Sequence, residues 1–267
     1  MYQAPREPQS IGGVLDAGFQ LFRAAFTKVF VLAVLSSIAT VPAGRIARGF
    51  NPETGGTAAA GDLLVPFLVA LIVGLLATMV FTAAAVARID AVAHNREMTF
   101  GEAVSYGLRR ALPFFAASML YVIAVSVGLV LVIVPGVIVG VYLAFGAVAT
   151  VVNGKGPIEG LKYSWDLVRG HWWRTLFLGL VTGLIAMVLY VLIGFIVGLA
   201  AAAAAVGFGA TPDGAEDVAF IIDVVVSPIV SAIGTPLIYG LGLAIYYDLR
   251  LRREGGDIAE RIAAAAA

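Results

Sequence analysis

Residues 111–154, ALPFFAASMLYVIAVSVGLVLVIVPGVIVGVYLAFGAVATVVNG, decide the fold, because no charged side chain interrupts them. A single helix of this run would be about 66 Å long at 1.5 Å per residue, roughly twice the ~30 Å hydrocarbon core of a bilayer. The chain must therefore turn back inside it. Pro135-Gly136 is the expected turn, since proline cannot continue the helical hydrogen-bond ladder and glycine tolerates the reversal. Two membrane helices are predicted, over residues 112–134 and 137–152.

Outward from this hairpin, uncharged runs recur at 29–44 and 63–87 on one side and at 175–203 on the other, followed by a sixth apolar run at 221–247 that carries a single charge, Asp223. Pro228 and Pro236 fall inside the last as expected kinks. Apolar residues make up 61% of the chain, charged ones 13%, and the mean hydropathy is +0.98. Soluble domains hold roughly 45–50% and about 25%, so no water-soluble fold of this length could cover so much apolar surface. The prediction is an all-α integral membrane bundle of six transmembrane helices. It occupies residues 1–257, with 258–267 as a short cytoplasmic tail.

Lysine and arginine set the orientation. Arg6, Arg23, Lys28, Arg88, Arg96, Arg109, Arg110, Lys155, Lys162, Arg169, Arg174, Arg250, Arg252, Arg253 and Arg261 fall on one side of a six-span chain, and only Arg45 and Arg48 on the other. By the positive-inside rule the first side is cytoplasmic, together with both termini. The first ten residues, MYQAPREPQS, lack the features of a signal peptide. An arginine excess over lysine and abundant alanine fit a GC-rich bacterial genome, so the expected location is the bacterial cytoplasmic membrane.

Three segments on this side are amphipathic. In residues 156–172, Ile158, Leu161, Trp165, Val168 and Trp172 advance by three or four, with Glu159, Lys162, Asp166 and Arg169 on the other face. That period marks a helix lying flat at the membrane interface. Ile11, Leu15, Phe19, Phe22 and Phe26 repeat the pattern, as do Phe100, Val104, Leu108 and Ala111. Each segment precedes a pair of spans, and the three align at Gly18, Gly107 and Ser164. Internal triplication accounts for this, and so does the general need of a multispan protein for amphipathic linkers.

Three stretches, SIGGVLDAGFQLFR, PIEGLKYSWDLVRGHWWRTL and YYDLRLRREGGD, resemble the multispan membrane domain fused to some bacterial glycerophosphodiester phosphodiesterases, and its stand-alone relatives. The resemblance covers residues 10–257. It implies a six-helix membrane protein whose hydrolase, where present, lies in a separate domain. After Tyr247 only twenty residues remain, too few for a catalytic barrel. No catalytic residue is carried over, and phosphodiesterase activity is not expected of this chain.

The residues themselves offer little catalysis. There is no cysteine, which excludes disulfides, thiolate metal sites and cysteine nucleophiles. No G-x-S-x-G or phosphate-binding loop occurs. Asp90, His94 and Glu97 could share one face of a short helix, a spacing that suits a metal ion. A solvated helix end is the plainer reading, so no metal and no cofactor is predicted. Asp223 is the one charge inside a span, either reaching headgroup water or lining an ion or transport path beside a broken helix. The glycine pairs Gly136/Gly140, Gly179/Gly183 and Gly194/Gly198 permit close helix contact, with intramolecular packing expected and homo-oligomerisation the alternative.

The functional signal lies in the basic aromatic belt formed by Lys162, Trp165, Arg169, Trp172, Trp173 and Arg174. Indole rings favour the headgroup level and bases attract anionic lipid. The expected function is accessory or organising, through a cytoplasmic collar that binds membrane lipids, anionic ones above all, or a soluble cytoplasmic protein. The net charge of zero gives no reason to expect a nucleic-acid partner. A small transporter or channel with a broken sixth helix is the alternative.

Overall fold

The structure is a computed structural model that describes residues 5, 7–49, 60–208 and 222–266. Every regular element among them is helical, and six helices are long and apolar enough to cross a membrane. The protein is a multi-pass membrane bundle. The first span is α1 (Ile11–Ile38), continued after a turn by α2 (Val41–Gly49). Then come α3 (Ala60–Ala93), α4 (Phe100–Leu131), α5 (Ile133–Leu143), α6 (Gly146–Val152), α7 (Pro157–Val168) and α8 (Trp172–Phe208). A π-helical turn, Ile222–Val226, leads into α9 (Ser227–Ala266).

The reversal expected at Pro135-Gly136 lies at Val132 instead. Val132 is extended (φ −159°, ψ 138°), and Pro135 and Gly136 belong to the first turn of α5. The N–H groups of a first turn have no intrahelical acceptor, so proline is tolerated there. Gly136 serves the hairpin differently, for its Cα lies only 2.7 Å from where a Cβ on Gly128 would stand. The two glycines let the arms of the hairpin close.

The fourth span is not one helix, since it breaks at Ala144 and Phe145 into α5 and α6. Unsatisfied backbone groups inside a membrane cost several kcal/mol each. Here Ser164 of α7, fully buried, supplies the missing partner on both sides. Its hydroxyl oxygen accepts from the Phe145 N–H at 3.0 Å, and the hydroxyl donates to the Tyr142 carbonyl at 2.8 Å.

Of the three amphipathic segments only the third is a separate helix, α7. The first two run without interruption into membrane spans as the initial turns of α1 and α4, with Pro113 accommodated inside α4. α7 ends because Arg169 leaves the helix and Gly170 adopts φ 86°, a conformation that glycine accepts without steric cost. The common register is nonetheless present. The helices begin after Ser10, Thr99 and Gly156. Four residues on stand Val14, Ala103 and Gly160, and four further Gly18, Gly107 and Ser164, all buried. Ser10 caps the Gly13 N–H, Thr99 and Glu102 form a reciprocal capping box, and Glu159 accepts from the Gly156 N–H.

Each register position meets a different membrane helix. Gly18 lies against Leu241 of α9, Gly107 against Val80 and Ala84 of α3, and Ser164 against the α5–α6 break. α1 and α9 form the central pair. Leu21, Ala25, Val29 and Leu32 bury with Leu243 and with Ala84, Ala85 and Ile89 of α3. A second cluster joins Val14, Leu167, Leu178, Tyr246 and Leu249. α8 differs from the rest, burying Thr175 and Leu178 near its start and no described side chain beyond them.

Candidate functional site

Three consecutive residues of α9, Tyr246, Tyr247 and Asp248, organise the basic end of the bundle. Successive residues of a helix point about 100° apart, so a central helix can address three neighbours in one turn. The Tyr246 hydroxyl donates to Asn153 at the end of α6. The Tyr247 hydroxyl donates to Asp90 Oδ1 at 2.5 Å, at the end of α3. Asp248 takes the third direction, where its Oδ1 accepts from the Gln9 N–H at 2.7 Å, just ahead of α1.

The two carboxylates are buried, Asp248 at 3% exposure and Asp90 at 6%. A buried charge must be paired and hydrogen-bonded to be tolerated. Arg174, at the start of α8, and Arg252, one turn along α9, each place Nε 3.0 Å from Asp248 Oδ2. Both also donate to the Gln9 carbonyl at 2.6 Å. Asp90 Oδ2 accepts from Arg96 at 2.5 Å, and His94 Nδ1 lies 3.3 Å from its Oδ1. Each carboxylate oxygen therefore has a partner, which makes these groups locks between helices and not free bases. Aromatic rings seal them, with Tyr246 and Tyr247 at 5.6 Å, Phe145 and Tyr246 at 5.9 Å, and His94 and Tyr247 at 5.3 Å.

Beside this hub lies the aromatic belt. Lys162 and Arg169 are exposed. Trp165 stacks on Tyr142 with ring centroids 4.1 Å apart and planes 20° from parallel. Trp172 donates its indole N–H toward the Ile138 carbonyl at 3.4 Å and meets Trp173 edge-on at 4.7 Å. Trp173 is 77% exposed. Arg174 departs from the expected belt, because its guanidinium is turned inward and consumed by Asp248 and Gln9.

A family model described as a domain of unknown function, DUF7847, matches residues 21–249. The chain belongs to this family. No curated protein matches it, and no solved structure does. The DUF7847 match takes in Asp90, Asn153, Arg174 and the Tyr246-Tyr247-Asp248 triplet, so the hub is almost wholly inside the family's domain.

Other expected features of this DUF7847 chain are placed differently from the sequence reading. Asp90, His94 and Glu97 do not share a helix face, because α3 ends at Ala93 and Asn95 takes φ 52°. Asp90 is instead held by Arg96 and Tyr247. Gly136 serves internal packing, whereas Gly179, Gly183, Gly194 and Gly198 have open space where a Cβ would stand. The expected intramolecular use therefore fails for those four. Asp223 lies in the π-helical turn Ile222–Val226, and its side chain lies outside the described residues. Sequence reasoning missed Asp90 and Asp248 as buried groups. The available signal was a lone acid flanked by apolar residues at a span's end, in ARIDAVA and AIYYDLR.

Proposed function

We propose that the protein is an organising component of the bacterial cytoplasmic membrane, with both termini and the tyrosine hub in the cytoplasm, and that α7 grips anionic lipid headgroups. One observation carries this reading. α7 is fixed to the bundle through buried Ser164, Leu167 and Val168 while Ile158, Lys162, Trp165 and, just past its end, Arg169 remain exposed. A rigid amphipathic rib with bases and an indole outside suits the headgroup boundary. The orientation rests on the fifteen bases that share this side. The resemblance to membrane domains of glycerophosphodiester phosphodiesterases is in keeping with a lipid-phosphate ligand.

The test is native mass spectrometry of the wild type and a Lys162→Gln/Arg169→Gln variant in mixed zwitterionic and anionic lipid. Each base contributes about 1 kcal/mol near a charged surface, so anionic lipid retention should fall on the order of fivefold per base while the fold is kept. Unchanged retention would sink the headgroup reading. Co-purification of one soluble protein, lost in the same variant, would replace lipid by a protein partner.

A second reading, a small transporter, draws on the π-helical turn that holds Asp223 ahead of Pro228. Irregular helical turns recur at ion sites. An ion flux in proteoliposomes that Asp223→Asn abolishes would favour transport. A wild type without flux leaves the organising reading in place.

A further inference from the structure

Arg88, near the basic end of α3, is a base without a counter-ion. Its Nη1 donates to the Lys28 carbonyl of α1 at 2.5 Å. Its Nε is shut off from solvent and has no hydrogen-bond acceptor among the described residues. Nη2 has no acceptor among them either but, unlike Nε, stays accessible. Asp90, two residues on, points about 200° away round the helix and is already held by Arg96 and Tyr247. No ion pair among the described residues involves Arg88 or Lys28, and the Lys28 side chain is exposed. The common register supplies a comparison. Lys28 stands ten residues past Gly18, and Arg174 ten residues past Ser164, so the two bases hold equivalent positions. Arg174 meets the buried carboxylate of Asp248. Lys28 meets a second base, Arg88, in place of an acid.

Two adjacent bases repel, and a partly buried charge is tolerated when an opposite charge pairs with it. An anion from outside the chain meets that need, and depth identifies it. Lys28 is the last charge before the run 29–44, and Arg88 the first after 63–87. Arg88 also lies twenty-six residues after Asp62, about 39 Å along α3. Even at a tilt of about 40° this length covers ~30 Å, the whole hydrocarbon core. The two bases therefore stand at the level of headgroup phosphates. Val31, three residues past Lys28 on the same side of α1, is 50% exposed and offers acyl chains an apolar strip below the bases. We propose that Arg88 and Lys28 hold the phosphate of one membrane phospholipid on the flank where α3 meets α1. The guanidinium Nη2 and the Lys28 ammonium donate to the phosphate oxygens, a charge-assisted arrangement. This goes beyond the proposed function, since it uses other helices and does not rest on Lys162 or Arg169.

The experiment is native mass spectrometry of the full chain in detergent, titrated with phosphatidylglycerol. Every protein carries Lys162→Gln/Arg169→Gln, which removes the α7 bases, so failure of this site and failure of the α7 reading stay distinguishable. Added to that parent, Arg88→Gln should raise the Kd of the tightest-bound lipid at least tenfold, and Lys28→Gln at least threefold. Arg23→Gln, at an exposed base elsewhere on α1, should leave it unchanged. Diacylglycerol with the same chains should bind the parent and Arg88→Gln alike. Should Arg88→Gln fail to fold, Lys28→Gln carries the test, because its side chain is exposed. Equal lipid affinity in the parent and in the Arg88 and Lys28 variants overturns the inference, as does an equal loss in Arg23→Gln. Displacement of the lipid by inorganic phosphate at equal concentration also overturns it, for free phosphate would then be the ligand.

Discussion

Asp248 shows how a single side chain can define one end of a membrane bundle. Its carboxylate ties the segment before α1 to the start of α8 and to its own helix, and each tie is charge-assisted. Removing one partner of a buried ion pair typically costs about 3–5 kcal/mol, because the remaining charge is stranded. Asp248→Ala should therefore lower stability severely. Tyr247→Phe deletes one hydrogen bond to a charged group, an effect of about 1.5–3 kcal/mol. Thermal unfolding in detergent, followed by tryptophan fluorescence, should rank Asp248→Ala below Tyr247→Phe and both below the wild type. Wild-type stability for Asp248→Ala would show that the hub is not structural. The sequence announced the charge of these residues but not their burial, which depends on Gln9, Arg174 and Arg252 arriving from distant parts of the chain. The same blindness put Arg174 in the expected belt beside Trp172 and Trp173, although its guanidinium turns inward to Asp248 and Gln9.

At the scale of the element, a hydrophobic period tells which face of a helix leaves water, but not whether lipid or protein receives it. The period located α7 correctly and also placed the initial turns of α1 and α4. It could not show that those turns continue into spans, because nothing local ends them. Proline was misjudged for a related reason. Pro135 excludes a helix interior but suits a first turn, and only the Val132 backbone distinguishes the two. The common register gives contrasting expectations for glycine. Gly107 abuts the Val80 carbonyl and Ala84, so Gly107→Ala should destabilise by about 1–3 kcal/mol through overpacking. Gly179 faces open space, so Gly179→Ala should stabilise the helix by roughly 0.5–1 kcal/mol through lower chain entropy. Unfolding measurements that give both changes the same sign would contradict the register. Ser164→Ala leaves a buried N–H without its acceptor and a carbonyl without its donor at the α5–α6 break. With about 1–3 kcal/mol for each orphaned group, it should be among the most damaging single-atom deletions in the chain.

The whole molecule was the most legible scale, since a charge in hydrocarbon is so costly that uncharged runs nearly trace the spans by themselves. The alternation of bases follows from the same physics. The structure agrees with the even count, for the hub gathers residues next to α1, at the ends of α3 and α6, at the start of α8 and near the end of the membrane part of α9 on one end of the bundle. The pairing of α1 with α9 was not legible, because it rests on Gly18 and Leu241 meeting across almost the full length of the chain. Which end faces the cytoplasm is the last step, and the chain is well suited to test it. It has no cysteine, and Gly44, Gly101 and Gly255 all have open space around them, so a cysteine fits at each without strain. Gly101 and Gly255 belong to the end with fifteen bases, and Gly44 to the opposite one. In intact cells a membrane-impermeant maleimide should label Gly44→Cys, and should label Gly101→Cys and Gly255→Cys only after permeabilisation. Labelling of Gly101→Cys without permeabilisation, with Gly44→Cys protected, would invert the molecule and put the basic collar on the outer face, where the electrostatic argument for anionic lipid on the cytoplasmic leaflet no longer applies.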